Sequence, residues 1–273
     1  MSIIKKLFMT IFHILCGIYI ILLSNEIALS YEIGNRRFNY AFIAFVIVFL
    51  YTKVVLHQSI KDIGLGTPLP TFSGIMIALL LPIVVSIFYF LMVDGAFVQT
   101  AMTKSELKSQ VIYAISMGIS SGFVEEMVFR GMIMKGIERE WNRVVAIFVP
   151  SIFFAIGHMR QIDTNDIVST ALLLVGGTLV GIMFSVVAYQ TGSIWTGALI
   201  HCMWNIIIIG GIVTVKQEVQ SWSPSIWTYV LDTKNVLLTG GKFGIETGIP
   251  AIIGYSIVIV ISYKWIANLE KKS

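Results

Sequence analysis

Three short stretches of this chain hold residues able to do chemistry where the surrounding sequence is apolar. The first, Gly122-Phe123-Val124-Glu125-Glu126-Met127-Val128-Phe129-Arg130-Gly131, sets two carboxylates and a guanidinium together; the second, Phe154-Ala155-Ile156-Gly157-His158, ends on an imidazole; the third, His201-Cys202-Met203-Trp204-Asn205, carries an imidazole and an amide. Glu126 and Arg130 are four residues apart, so on a helix they share a face and pair, while Glu125 is turned roughly 140° from Arg130 and must face something else. Two readings of that isolated carboxylate stay open. One is a general base held against water in an apolar site; the other is an internal ion-pair cluster that ties helices together. His201 and Asn205, also four apart, present two hydrogen-bonding groups from one helix face.

The elements that position these residues are read from composition and hydropathy. The chain has 273 residues, 56% of them apolar and 12% charged, and its mean hydropathy is +0.86. That is the composition of a chain that lives in lipid. Charges at the centre of a membrane helix cost about 2.5 to 3.5 kcal/mol each. Three uncompensated ones would therefore approach the roughly 5 to 15 kcal/mol that holds a whole fold together, so pairing or hydration is required. The net charge of +4 comes from Lys and Arg scattered between apolar runs, which excludes a nucleic-acid surface and suits membrane flanks.

Eight apolar runs predict an all-α polytopic bundle of about eight transmembrane helices: Leu7 to Ser24, Tyr40 to Leu56, Phe72 to Val93, Val111 to Lys135, Val144 to His158, Ile167 to Tyr189, Ser193 to Val215, and Gly248 to Ala267. One membrane domain, 1–273, is expected, with N-terminal helices in 1–110, the chemical residues in 111–215, and a loop and last helix in 216–273. The first run reads as a retained span rather than a cleaved leader. Pro82 predicts a kink, and Gly118/Gly122 and Gly177/Gly181 predict close helix approach. His13 reads as a packing residue, Cys16 and Cys202 as small apolar residues without a disulfide, and Arg160, Asp163 and Asp166 as an aqueous turn, with Asp94 and Asp232 at or outside helix ends. The connection from Lys216 to Thr247, with Trp222, Pro224 and Trp227, reads as a surface loop with aromatic anchors, an interfacial lid being the alternative. With an even number of spans, ten Lys or Arg fall on the side of the termini and eight on the other, Arg130 lying within a span. This favours cytoplasmic termini in the cell membrane. Rise per residue places the three stretches near mid-bilayer, or toward the side bearing Lys135, Arg143 and Ser193.

Taken together, Glu-Glu-x-x-x-Arg at Glu125, Glu126 and Arg130, Phe-x-x-x-His at Phe154 and His158, and His-x-x-x-Asn at His201 and Asn205, with Thr191-Gly192-Ser193-Ile194-Trp195 leading into the last, resemble the CAAX prenyl protease and bacteriocin-processing (Abi) family of intramembrane proteases. The resemblance covers Val111 to Val215. It implies peptide-bond hydrolysis on a membrane-associated peptide or protein, with Glu125 and His158 activating a water, His201 and Asn205 stabilising the oxyanion, and Glu126 and Arg130 in support. The family is commonly called metalloprotease, and a zinc-dependent form would draw on Glu125, His158 and His201. Against zinc, no His-Glu-x-x-His spacing is present and Asn is a poor ligand, and the glutamate-type reaction needs no cofactor. Two other classes compete: a transporter with a buried Glu/His proton relay, which predicts solute flux and no cleavage, and a non-catalytic immunity or adaptor protein, whose function Glu125→Gln leaves intact.

Overall fold

A computed structural model describes residues 2–30, 34–66, 68–218 and 225–270, the side chains of 265–270 excepted. Helices α1 (Ile3–Leu29), α2 (Arg36–Val54) and α3 (Phe72–Met92) precede a strand, β1 (Gly95–Gln99). The fourth helix starts at a capping box in which Thr103 and Glu106 satisfy each other's backbone N–H groups. It runs as α4 (Lys104–Glu126), passes through a π-helical stretch at Met127–Ile133 and continues as α5 (Met134–Glu140). Then come α6 (Arg143–His158), α7 (Ile167–Thr191) and α8 (Trp195–Trp204), the last extended by a π-helical stretch at Asn205–Ile209. Strands β2 (Val213–Lys216) and β3 (Trp227–Leu231), a single-turn α9 (Val236–Thr239) and α10 (Ile249–Glu270) complete the order.

Six of these helices are long and apolar enough to cross a membrane, the fourth being the continuous stretch Lys104–Glu140, and Trp195–Ile209 and Ile249–Lys264 are shorter apolar helices. The protein is an all-α, multi-pass membrane bundle, as the apolar runs predicted. Two boundaries are corrected. The seventh run does not stay helical to Val215: the helix stops at Gly210, Gly211 takes a left-handed φ of 79°, and Val213–Lys216 pairs as a strand. The connection that follows is likewise more than a surface loop, because β3 lies between β2, parallel, and β1, antiparallel with Gly95 opposite Leu231. Trp222 and Pro224 lie outside the described residues. β-branched and aromatic residues in short runs carry this sheet, a signal hidden beside much longer apolar segments.

The side chains pack into two cores. One gathers Ile14, Val48, Val128, Met132 and Ile137 from α1, α2 and the fourth helix; the other gathers Val85, Met183, Ile200, Trp204 and Tyr255 from α3, α7, α8 and α10. His13 belongs to the first core as a packing residue, buried with its Nδ1 2.6 Å from the Tyr51 hydroxyl. Glycines set the distances between the helices that join the cores. A Cβ on Gly118 or Gly122 would lie 2.9 Å from the Cys202 carbonyl or 2.8 Å from its amide nitrogen, and one on Gly177 or Gly181 would lie 2.9 Å from Ala155 or 2.7 Å from Ser151. Both expected glycine pairs are therefore contact points, α4 against α8 and α7 against α6, where only hydrogen lets the backbones meet.

Candidate active site

Those two glycine contacts bring the three chemical stretches together at the junction of the cores. Gly122 lies one turn before Glu125 and touches α8 at Cys202, next to His201; Gly177 and Gly181 hold α6 so that His158, its last helical residue, points into the same space. The turn before α8 fixes that helix in turn. Gly192 ends α7 in a left-handed conformation at φ 65°, the Ser193 hydroxyl donates to the Pro68 carbonyl at 3.0 Å, and Trp195 stacks on Phe123 with ring centroids 5.4 Å apart.

Glu126 and Arg130 form the floor. Arg130 Nη1 donates to Glu126 Oε1 at 2.9 Å, both side chains being 1% exposed. Its Nη2 donates to the Gly181 carbonyl at 3.0 Å, and the guanidinium lies over Phe154 and Phe184 at 4.8 and 5.1 Å from their ring centroids. The helix changes to π-helical geometry immediately after Glu126, a widening that often marks functional positions. Gly197 leaves room for the carboxylate, since a Cβ there would stand 3.3 Å from Glu126 Oε2.

Glu126 Oε1 also takes a hydrogen bond from His201 Nδ1 at 3.1 Å. A carboxylate only accepts, so Nδ1 carries the proton and Nε2 faces the other way. The same logic fixes His158, whose Nδ1 lies 2.8 Å from the Phe154 carbonyl oxygen and must donate to it. Both outward-facing Nε2 atoms converge on Glu125, each 3.9 Å from its Oε2. Phe184 stacks against the His201 ring at 5.0 Å and 17°, which holds the imidazole plane. Asn205, at the start of the second π-helical stretch, donates from Nδ2 to the Ser121 hydroxyl at 2.9 Å.

Glu125, His158, His201 and Asn205 line one cavity of about 180 Å³, together with Ser121, Phe184, Phe243 and Glu246. All four residues singled out for chemistry thus meet in one space, with Glu126 and Arg130 beneath. α6 ends at His158, and Phe243, Glu246 and Thr247 from the segment before α10 contribute to the wall. Asp166 caps α7 by accepting from Ser169 N at 3.1 Å, and that backbone bond holds its carboxyl below the usual range. Asp94 follows α3, where its carbonyl accepts from Asp232 N at 2.8 Å.

Sequence reasoning missed three contributors: Ser121, which orients Asn205; Phe184, which flanks His201; and Glu246, whose Oε2 accepts from Trp204 Nε1 at 3.3 Å. A serine one turn before Glu125 was the only one with a readable signal, because it shares that helix face. Among the described residues no three His, Cys, Asp or Glu side chains are arranged to hold a metal ion. Tetrahedral zinc with bonds of about 2.0 to 2.1 Å sets its ligands roughly 3.3 Å apart, and Glu125 stands farther than that from both imidazoles. The set Glu125, His158 and His201 does not fit zinc in this arrangement.

Residues 107–207 match the family model described as Type II CAAX prenyl endopeptidase Rce1-like. The matched stretch contains all three motifs and agrees with the family resemblance read from them. No curated protein matches the chain.

Proposed function

We propose that this protein is an intramembrane endopeptidase that uses a glutamate- and histidine-activated water to cut a membrane-associated peptide or protein. The convergence of Glu125 Oε2 with the Nε2 atoms of His158 and His201, at 3.9 Å each across one cavity, carries this reading. That separation is too long for direct hydrogen bonds and suits one water shared by all three groups. Glu125 accepts the proton of that water as it attacks the scissile carbonyl, with His158 Nε2 as the neighbouring proton-handling group. Asn205, and His201 Nε2 when its ring is protonated, donate to the oxyanion that forms. Glu126 and Arg130 act through His201: the carboxylate fixes its Nδ1–H, and the guanidinium holds that carboxylate in place. The leaving amine takes a proton back from Glu125 or His158, which restores the site.

The matched family's name points to a CAAX-type substrate, a C-terminal peptide of a lipid-anchored protein, and leader-peptide processing uses the same chemistry. On this reading 1–273 forms one membrane domain with 111–215 as its catalytic core, set in the cell membrane with cytoplasmic termini. The test is peptide cleavage by the purified, lipid-reconstituted protein, with Glu125→Ala, His158→Ala and His201→Ala each inserting and folding but losing turnover. Retained turnover in all three variants would overturn the assignment, and solute flux without cleavage would favour the proton-relay transporter. A requirement for added metal after chelation would replace the metal-free step.

A further inference from the structure

Glu246 stands in a 3-10 turn (Ile245–Thr247) between α9 and α10, outside the spanning helices, and lines the same cavity as Glu125 and the two histidines. It is held to the site. Its Oε2 accepts from Trp204 Nε1 at 3.3 Å, and Trp204 lies on α8 between His201 and Asn205; the Glu246 backbone carbonyl accepts from the Tyr255 hydroxyl at 3.2 Å. The segment that delivers it is pinned at both ends. Thr247 Oγ1 donates to the Gly240 carbonyl at 2.8 Å, Lys242 N donates to Ser169 Oγ at 3.0 Å, and Gly240, Gly241 and Gly244 all take positive φ. Three residues before Glu246, Phe243 sets its ring edge-on to His158 with centroids 6.1 Å apart. This places Glu246 at a fixed point of the wall rather than on a loose loop.

We propose that Glu246 is a specificity residue that binds a positively charged group of the substrate, a primary ammonium or guanidinium on a side chain next to the bond that is cut. The word substrate rests on the hydrolase reading; the cation site itself does not. The charge balance of the cavity carries the inference. Among its described lining residues are two carboxylates, Glu125 and Glu246, and no Lys or Arg. Arg130 is committed to Glu126 and the Gly181 carbonyl. Lys242, on the outer side of the segment, stands 4.0 and 3.9 Å from Asp163 and Asp166. The hydrolytic step uses Glu125, which leaves Glu246 with the Trp204 N–H and the nearby His201 ring as its neighbours and no Lys or Arg in the cavity.

The rest of the wall completes the match. Leu81, Met117, Leu173, Val180 and Met183 are apolar, a lining that takes an aliphatic stem while the carboxylate takes a charged tip, as the two ends of a lysine or arginine side chain require. Burial pushes the Glu246 carboxyl up to about 7, the Trp204 N–H opposing that shift. A bound cation would hold the group in its charged form.

Binding of n-hexylamine and of its neutral isostere 1-hexanol to the full-length, detergent-purified protein tests this without any need for turnover. In buffer above neutrality the wild type is expected to bind the amine about tenfold more tightly than the alcohol, and Glu246→Gln to bind both alike. Glu246→Asp is expected to keep the preference for the amine. Equal binding of the two probes to the wild type would overturn the proposal, as would loss of the preference in Glu246→Asp with alcohol binding intact. In cleavage, Glu246→Gln should slow peptides with Lys beside the scissile bond about tenfold more than those with norleucine there. Equal slowing of both peptides would make Glu246 structural and would also overturn the proposal. A wild type that prefers the amine yet cuts no peptide keeps the cation site and strikes the hydrolase reading instead.

Discussion

Glu126 is sealed at 1% exposure with its Oε1 against Arg130 and His201, while Glu125, one residue earlier, is 20% exposed and reaches two imidazoles only at 3.9 Å. The two carboxylates share a helix, a backbone geometry and nearly a depth. What separates them is about 100° of helical rotation, which turns one into a sheath of aromatic rings and a guanidinium and the other into a cavity. A buried carboxylate with strong charged partners has a structural task, because moving it leaves uncompensated charge. A carboxylate beside imidazoles, with space between them, keeps the freedom to exchange protons.

That contrast can be broken from either side. Glu125→Gln keeps the size and removes the basicity, and is expected to lower turnover by about 10² to 10⁴ while the melting temperature in detergent stays put. A fall in melting temperature equal to that of an Arg130 variant would erase the distinction between the two glutamates. Arg130→Ala strips Glu126 of its partner and is expected to cost about 3 to 5 kcal/mol of stability, measured by denaturant titration in mixed micelles. Arg130→Ala with Glu126→Gln in the same chain should recover part of that loss but none of the activity that depends on His201 orientation. Absence of recovery would mean the cost lies in lost packing on Phe154 and Phe184 rather than in orphaned charge.

Smaller effects sharpen the comparison at the donors. Asn205→Ala removes the proposed oxyanion donor and should reduce kcat by about 10² to 10³ with KM nearly constant; a change confined to KM would move Asn205 from the transition state to substrate binding. Ser121→Ala frees the Asn205 amide to rotate, a lost hydrogen bond worth about 0.5 to 1.5 kcal/mol. Turnover should therefore fall by a factor of roughly 2 to 10, and Ser121→Thr, which restores the hydroxyl, should regain most of it.

Much of the frame is legible without coordinates. Apolar runs longer than a barrel strand announce membrane helices, and the four-residue spacing of Glu126 and Arg130 announces their pair, since a helix leaves no other geometry for that spacing. The glycine pairs are readable for the same reason, because small residues at one-turn intervals have one dominant use between helices in lipid. The end of α8 was missed: Ile206 to Ile209 continue an apolar run toward Val213, but the helix stops at Gly210 and Gly211 and Val213–Lys216 then pairs with β3. Glu246 was invisible because a single acidic residue in a polar connection carries no periodicity, and only the positive-φ glycines and the Trp204 contact turn it inward.

By itself the amino-acid sequence determined what is local: which segments enter the membrane, which groups share a helix face, and which charges demand partners, since hydropathy and a fixed rotation per residue act over a few turns. Only the tertiary structure decided what is collective. That Glu125 faces two imidazoles from other helices, that His201 is oriented by Glu126 rather than by its own helix, and that a late turn closes the wall with a second carboxylate all depend on how helices distant in the chain cross. Those crossings follow from packing at Gly118, Gly122, Gly177 and Gly181, where a difference of one methyl group sets the distance between backbones and no single segment contains the answer.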